Sequence, residues 1–301
     1  MTLVDRLQRW ITEPPPDHLF EITETSLVTA SPRNPTQGRQ EILTERGLAA
    51  SPAAPNLLKP QLFREALSGM TMLPMRRSAT ALVVPDYSVR MAILDFEQFP
   101  SGEEERNALI RFRLRKTVPF HIEEAQLAYA IQVEQPKQVE VLAVAIARPI
   151  LDEYESLFVD AGYRLGLVIP SSLATLRLCS SADKELTLLA KSAGSTLSVL
   201  LVEQNRVRLV RSLDLTGGDE ELKREEHTVL PLLQQTLAYA EDQIGQPVGK
   251  LLLCGFGADT ERLGRLAQRE FHVPYDQVRS RFGAASQENA GLLGLLEQYA
   301  A

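Results

Sequence analysis

The amino-acid sequence predicts an α/β protein that contains a compact α+β unit, and two stretches carry this prediction. Over residues 79–165 the hydrophobic pattern indicates the order strand, strand, helix, strand, strand, helix. Over residues 186–299 it indicates three consecutive strands, followed by helices that alternate with short buried strands. No similarity recurs at the period of about 20 to 50 residues that marks a solenoid. We therefore expect a globular chain of mixed helices and sheets.

The best-defined single element is predicted at residues 101–124. Ser101 and Glu104 have the spacing of a capping box, in which the hydroxyl accepts a hydrogen bond from a helix N–H and the carboxylate reaches back. Apolar and Arg residues follow, and Pro119 ends the helix because the residue before a proline disfavours helical backbone. The sequence therefore predicts a charged helix, a Pro-Phe corner and then a strand.

The first 16 residues are predicted to form an amphipathic arm, because their apolar side chains recur at helical spacing. Two interpretations stay open for this arm. It could dock on a membrane surface or on a partner, or it could lie flexibly on the protein's own core. The apolar residues of the arm are Leu3, Leu7, Trp10 and Ile11.

The segment after the arm has a less regular pattern. Residues 18–30 predict a hairpin whose turn is 23–26. Residues 31–61 are rich in Pro, Ser, Asn and Gln, and they predict a partly disordered loop. A short helix is expected at residues 60–68, ending at Gly69.

Composition excludes several classes of protein. The chain has 301 residues and a formal net charge of −7, which argues against a nucleic-acid partner because such binding depends on a basic surface. It has no apolar run of the length that spans a membrane and no apolar core of a signal peptide. Cys179 and Cys254 lie in apolar runs and are expected to be buried, reduced thiols. The four histidines show no metal-ligand spacing, so we expect no metal site.

Three segments of the chain resemble the PilM family. They are LVVPDYSVRMAILDF, LIRFRLRKTVPFHIEEAQLAYAI and VLAVAIARPILDEYESLFVDAGYRLGLVIPSSLATLRL. The similarity extends over roughly residues 62–301 and is strongest over 82–178, and the corner Val118-Pro119-Phe120 is its most specific part. PilM is the actin-like cytoplasmic component of type IV pilus assembly and is related to the cell-division protein FtsA.

The resemblance implies an actin-like fold, with two duplicated lobes of ribonuclease-H-like topology and an inserted α+β subdomain. The division of the chain that it implies is 1–16 for the arm, 17–78 for a degenerate first part of lobe one, 79–165 for the inserted subdomain, 166–185 for the return into lobe one, 186–283 for lobe two, and 284–301 for a C-terminal helix that closes on lobe one.

The resemblance also locates three nucleotide loops, and the first departs from the family pattern. Actin-like ATPases hold phosphate with the amides of two Gly-rich hairpins and position Mg²⁺ with an Asp in each. The first hairpin corresponds to residues 19–30. There Glu21 stands in place of the Asp, Thr23 stands in place of a Gly, and the turn contains no Gly. A side chain at Thr23 would crowd the phosphate, so this loop argues against ATP binding.

The other two loops are better preserved. In the second hairpin, residues 191–201, Gly194, Ser195 and Thr196 match the family, while Ser192 occupies the Asp position. In the adenosine loop, residues 251–258, Gly255 and Gly257 are present, but they bracket Phe256 where the family usually has a Gly triplet. These five residues are the nucleotide-binding candidates, with ATP and Mg²⁺ as the implied ligands if any nucleotide is bound. Because the metal-binding acids are missing, we expect no ATP hydrolysis and no resident cofactor.

The resemblance then implies a scaffold function. Such a protein captures the N-terminal cytoplasmic tail of PilN, a bitopic membrane protein, in a groove between lobe one and the inserted subdomain, and links it to the pilus motor ATPases. The resemblance implies a cytoplasmic protein that its partner holds at the inner membrane. Self-association stays open, since actin-like proteins often self-associate. The candidate partner-binding residues are Arg111, Phe112, Arg115, Val118, Phe120 and Val83.

Two alternatives stay open. One is a nucleotide-dependent switch or ATPase of the same fold, in which ATP closes the lobes and changes partner affinity. The other is a homologue that serves type II secretion, which is less favoured because the sequence predicts no C-terminal transmembrane helix.

Overall fold

The computed structural model describes residues 15–70, 79–179, 185–204, 206–215 and 225–300. The arm predicted for residues 1–16 therefore lies outside the described residues except at its last two positions. The sequence also predicts a long helix over residues 220–244, and residues 220–224 at its start lie outside the described residues.

The strands are β1 (His18–Ile22), β2 (Ser26–Ser31), β3 (Asn34–Ile42), β4 (Ala79–Val84), β5 (Arg90–Phe96), β6 (Gln126–Gln135), β7 (Gln138–Ile146), β8 (Arg164–Pro170), β9 (Leu186–Ala193), β10 (Thr196–Glu203), β11 (Arg206–Asp214), β12 (Val248–Cys254), β13 (Tyr275–Gln277), β14 (Arg279–Ser280) and β15 (Gly283–Ala284). The helices are α1 (Pro60–Gly69), α2 (Glu103–Leu114), α3 (Arg148–Asp160), α4 (Ser171–Thr175), α5 (Glu225–Tyr239), α6 (Thr260–Phe271) and α7 (Ala290–Tyr299). A π-helical turn, Ala240–Ile244, continues α5.

The two large sheets have the same topology. The first has the order β3-β2-β1-β4-β8, and the second has the order β11-β10-β9-β12-β13. In each sheet the first three strands are antiparallel, and the last two run parallel to the central strand. Two antiparallel strands can be joined by a short turn. Two parallel strands need a longer crossover connection, and helices supply it. The chain thus contains the same strand arrangement twice, as expected from the resemblance to proteins with two duplicated lobes.

Strand β3 corrects part of the prediction of a partly disordered loop at residues 31–61, because Asn34–Ile42 form a strand. It pairs with β2 from Ser26↔Ile42 to Ser31↔Asn34, and nearly all of its residues are exposed. It lies at the edge of the first sheet with solvent on both faces. Since neither face is buried, no alternation of apolar residues is required, and the sequence carried no strand signal.

The inserted unit is a three-stranded sheet of order β5-β7-β6 that is covered by α2. The sequence placed residues 79–165 in this unit. In the structure β4 and β8, at the two ends of that range, pair with each other and belong to the first sheet. The inserted sheet therefore begins with β5, because β4 and β8 find parallel partners in lobe one rather than in the insertion.

Helix α2 is shorter than predicted at both ends. Its N-cap residue is Gly102, and no side chain forms a capping hydrogen bond, so the predicted capping box at Ser101 is wrong. The helix ends at Leu114, five residues before Pro119, and the N–H groups of Thr117 and Val118 both donate to the carbonyl of Leu114. The acidic first turn and the Arg residues of the last turn suit the helix dipole, which stabilises the helix without a cap.

The last helix lies where the two lobes meet. One buried core includes Leu19 of β1, Leu189 and Leu200 of the second sheet, and Leu293 and Leu296 of α7. Gly294 allows close packing, because a Cβ there would approach the carbonyl oxygen of Ala174 in α4 to 2.0 Å. Helix α7 therefore packs against β1 and both sheets, and the two predicted phosphate hairpins lie close together.

Candidate functional site

The first hairpin turn, between β1 and β2, is held by hydrogen bonds between its own residues Thr23 and Ser26. The N–H of Thr23 donates to the carbonyl of Ser26 over 2.9 Å, and the N–H of Ser26 donates to Thr23 Oγ1 over 3.1 Å. The two hydroxyls are 2.8 Å apart. A Gly at position 23 would leave the amide of Ser26 without this acceptor. The threonine that replaces it satisfies that amide from within the turn.

Glu21, which stands where the family has a metal-positioning Asp, is fully buried and bound to α7. Its Oε2 accepts a 2.7 Å hydrogen bond from the N–H of Leu292, and its Oε1 accepts from the hydroxyl of Ser171. Burial raises the pKa of Glu21 to about 7, against the opposing effects of nearby Lys191 and of these hydrogen bonds. The carboxyl group of Glu21 thus accepts a hydrogen bond from the first turn of α7.

The second hairpin turn, between β9 and β10, is occupied by an acidic side chain of the first hairpin. Gly194 has a φ of +57°, which suits glycine. The N–H of Ser195 donates to Glu24 Oε1 over 3.0 Å, and the Ser195 hydroxyl donates to the same oxygen. Arg46 also donates to this carboxylate over 3.0 Å and contacts Ser195 Oγ at 3.2 Å. Glu24 therefore bridges the two hairpins that would otherwise face a phosphate.

Two further charged residues are buried beneath these hairpins. Asp86, which follows β4, accepts hydrogen bonds from the N–H of Ser172 at 2.7 Å and from the hydroxyl of Ser198 at 2.8 Å. Lys191 of β9 is 1% exposed, and its ammonium has no hydrogen-bond partner among the described residues. Its positive charge acts on Glu21 and Cys254. Lys191 thus places a positive charge close to the buried Glu21.

At the predicted adenosine loop, the backbone at Gly255 lies very close to the backbone at Ser192. Gly255 and Gly257 have φ values of +81° and +54°. A Cβ on Gly255 would meet the carbonyl oxygen of Ser192 at 2.0 Å, whereas a Cβ on Gly257 would meet nothing within 4 Å. Gly255 is therefore required by the packing of the protein itself, since it lets two backbone segments approach each other.

In this conformation the residues present do not fit a magnesium-bound triphosphate. The amides of Ser26 and Ser195 already have acceptors, from Thr23 and Glu24. Within the described ranges no three His, Cys, Asp or Glu side chains are grouped so that they could hold a metal ion. Sequence reasoning named Gly194 and Ser195 but missed Glu24 and Arg46, because an isolated acid or base in a turn carries no local sign of a distant partner.

A separate groove of about 320 Å³ lies between the first sheet and the inserted sheet. One wall is β8, and every residue from Leu165 to Val168 lines it. Side chains alternate between the faces of a strand, so consecutive lining residues mean that the wall is the edge of β8. Strand β8 is the last strand of its sheet, and it pairs with β4 alone among the described strands. The groove thus runs along an open sheet edge.

The other wall of the groove is one face of the inserted sheet. The pairs Gln126↔Ile146 and Ala128↔Val144 lie side by side across β6 and β7, and these four residues line the groove. The opposite face of the same sheet, which includes Val141 and Ala143, packs against α2. The groove is mainly apolar. Arg148 and Glu155 also line it, and they form an ion pair at 3.0 Å.

The partner-binding candidates named from the sequence lie elsewhere. Arg111, Phe112 and Arg115 belong to α2 or its end, and α2 covers the face of the sheet that is turned away from the groove. Arg111 donates to the carbonyls of Ile122 and Ala125, which ties α2 to the corner that follows it. Phe112 is 66% exposed. None of these three residues lines the groove.

The remaining candidates divide between the core and a second depression. Val83 is fully buried, so its side chain cannot contact a partner, and this prediction is corrected. Its neighbour Val84 lines the groove, because adjacent strand residues point to opposite faces. Phe120 lines a depression of about 280 Å³ together with Pro55 and Pro149. Val118 is half-buried against the core of the inserted sheet.

The inserted sheet is also fastened to the second lobe. Arg206 of β11 forms a two-pronged ion pair with Glu140 of β7, which is 5% exposed. The amide of Gln132 on β6 exchanges two hydrogen bonds, of 2.9 and 2.8 Å, with the backbone of Val207. Such mutual bonding fixes the orientation of one element against the other. The insertion therefore contacts both lobes.

None of the helices in the part of the chain that the structure describes is both long enough and apolar enough to span a membrane.

Comparison with known proteins places this fold. No family sequence model matches the chain, and no curated protein matches it in sequence. Among solved structures, a chain of the PilM-PilN type IV pilus biogenesis complex is similar, with a TM-score of 0.75 and 17% identity, covering 94% of this chain and 98% of that one. A Bacteroides thetaiotaomicron protein with an actin-like ATPase fold and unknown function has a TM-score of 0.54 and 12% identity, covering 95% and 97%.

The similarity to these structures extends over almost the whole of each chain, and the repeated strand order described above agrees with it. At 12% and 17% identity it is a likeness of fold. The chain therefore has the actin-like fold, in an arrangement close to that of the PilM-PilN structure.

Proposed function

We propose that this chain is a scaffold of a type IV pilus assembly machine that binds the N-terminal cytoplasmic tail of a PilN-like inner-membrane protein. The groove beside β8 is the observation that carries the proposal. It combines an open strand edge with an apolar sheet face, and these are the two features that bind an extended peptide. The similarity to a PilM-PilN complex supports the same type of partner.

In this proposal the tail adds a strand to the edge of β8. Its backbone exchanges hydrogen bonds with β8, and alternate side chains enter the groove above Ala128 and Val144. The bound tail then holds the scaffold at the cytoplasmic face of the inner membrane, where the scaffold connects the partner to the motor ATPases. Neither step needs ATP hydrolysis, and we propose that this chain performs none.

A binding assay with a groove-filling variant tests the proposal. The ligand is a synthetic peptide of the N-terminal tail of the PilN-like protein from the same genome, measured by fluorescence anisotropy. Gly166 is exposed in the wall of the groove, and a Cβ there meets nothing within 4 Å. We therefore expect Gly166→Leu to fold normally and to weaken binding at least about tenfold, because its side chain fills the groove.

The matched control is Gly69→Leu, which adds the same side chain at another position where a Cβ meets nothing within 4 Å. Its affinity should equal that of the wild type. Methylation of alternate peptide amides should also weaken binding, since it removes the backbone donors. Failure of the wild type to bind the peptide at high micromolar concentration, or equal binding by Gly166→Leu, would contradict the proposal.

A nucleotide-dependent switch of the same fold is the competing function. It requires the N–H of Ser195 to exchange Glu24 for a phosphate oxygen. Calorimetric titration with magnesium ATP separates the two functions, because micromolar binding would favour the switch.

A further inference from the structure

We propose that Glu24 is a built-in substitute for a phosphate group, and that its carboxylate fills an anion site formed by Ser195 and Arg46. The site then joins the two lobes without a nucleotide. This inference depends on the geometry of the two hairpins, and it holds whether or not the groove beside β8 binds a peptide.

The donors around Glu24 are those that recognise a phosphoryl oxygen. A backbone N–H and a hydroxyl come from Ser195, and a guanidinium comes from Arg46. Hairpin amides and arginine are the usual protein ligands of tetrahedral oxyanions. The Glu24 side chain is 12% exposed, so its carboxylate is largely enclosed by these donors.

The shape of the second turn is fitted to this anion. Gly194 adopts a left-handed φ of +57°, and a Cβ there would come within 2.6 Å of Glu24 Cδ. Glycine is thus needed for the carboxylate to come close to the turn, for the same reason that glycine is needed where a backbone approaches a phosphate. The turn has the form of an anion cradle, and the anion is a side chain of the same protein.

The contact also connects the two lobes. Glu24 and Arg46 belong to the first lobe, and Ser195 lies 171 residues from Glu24 along the chain, in the second lobe. In an actin-like fold a nucleotide bound between the hairpins would make this connection. Here a charge-assisted hydrogen-bond cluster makes it, and the negative charge of Glu24 repels a second anion.

Removing the carboxylate should therefore expose a site for free oxyanions. In Glu24→Ala the donors of Ser195 and Arg46 remain, so inorganic phosphate should take the place of the carboxylate. We expect a melting temperature several degrees below that of the wild type, and a saturable recovery on adding millimolar sodium phosphate. The wild type should show no recovery beyond that in sodium chloride of equal ionic strength.

The control is the double variant Glu24→Ala/Arg46→Ala, which removes the guanidinium and should lose the phosphate-dependent recovery. Two results would overturn the proposal. One is an equal, saturable response to phosphate in the wild type, which would mean that Glu24 does not occupy the site. The other is a Glu24→Ala protein with an unchanged melting temperature and no response to phosphate.

A second measurement applies if Glu24→Ala does not fold. Glu24→Gln keeps the size of the side chain and removes its charge, which weakens the bond to the N–H of Ser195. Native-state hydrogen exchange at Ser195 should then be several-fold faster in Glu24→Gln than in the wild type. Equal exchange rates would contradict the proposed role of the carboxylate.

Discussion

Glu21 Oε2 accepts a 2.7 Å hydrogen bond from the backbone N–H of Leu292, and this contact joins the first strand of the protein to the first turn of its last helix. The carboxyl group is fully buried, and burial raises its pKa to about 7. Its ordinary value in an unfolded chain is near 4.5. This difference makes the stability of the protein depend on pH.

The first prediction concerns that dependence. Between pH 4.5 and about 7 the folded protein keeps a proton on Glu21 that the unfolded chain releases. The contribution to stability is therefore complete below pH 4.5 and is lost as the pH rises toward 7. We expect the unfolding free energy of the wild type, relative to Glu21→Gln, to fall by up to about 3 kcal/mol over this range.

Urea unfolding of the two proteins from pH 5 to pH 8 measures this effect. Glu21→Gln is the reference because its neutral amide does not titrate and has nearly the same shape. Parallel stability curves for the two proteins would show that Glu21 has the same pKa in both states.

The second prediction concerns the contact between α7 and α4. In Gly294→Ala the new methyl group would lie 2.0 Å from the carbonyl oxygen of Ala174, so one helix must move. We expect a loss of about 1–3 kcal/mol of unfolding free energy, measured by chemical denaturation. Gly69→Ala is the control, because a Cβ at that position meets nothing within 4 Å. A Gly294→Ala protein as stable as this control would be inconsistent with close packing of Gly294 against Ala174.

The third prediction concerns the ion pair between Glu140 and Arg206, which fastens the inserted sheet to the second lobe. Glu140 is nearly buried, so its bonds to Arg206 are shielded from water. A double-mutant cycle with alanine at both positions should give a coupling energy of about 1–3 kcal/mol. The exposed pair Arg64–Asp160, at 3.5 Å, is the comparison and should give about 0–1 kcal/mol. Equal coupling energies in the two cycles would contradict this distinction.

The fourth prediction concerns the two cysteines. Cys254 is buried as expected, whereas Cys179 is partly exposed, which corrects the expectation for that residue. Desolvation raises the pKa of Cys179 to about 12 and that of Cys254 to about 11. Since the thiolate is the reactive form, neither should react appreciably with a disulfide reagent at pH 8 in the native protein. Both should react rapidly in urea, where they are exposed. Reaction of either thiol in the native state at the rate of a free peptide would contradict the raised pKa of that thiol.

Hydrophobic periodicity was enough to predict most elements of this chain. Helix α1 begins and ends close to the predicted residues, and β9, β10 and β11 are the three consecutive strands predicted at the start of residues 186–299. These elements bury one face or both faces, so their own residues carry the signal. The missing glycines of the first hairpin could also be seen directly. The amino-acid types in a turn limit what its backbone can bind, whatever surrounds it.

Strand partners and long-range side-chain contacts depended on the tertiary structure. Strand β3 has no buried face to mark it, and β4 pairs with β1 and β8 because of crossovers that no local pattern records. The bond from Ser195 to Glu24 joins residues that are 171 positions apart. Local sequence reports which residues avoid water, but the partner of a buried charge or of a strand edge is decided only when distant segments pack together.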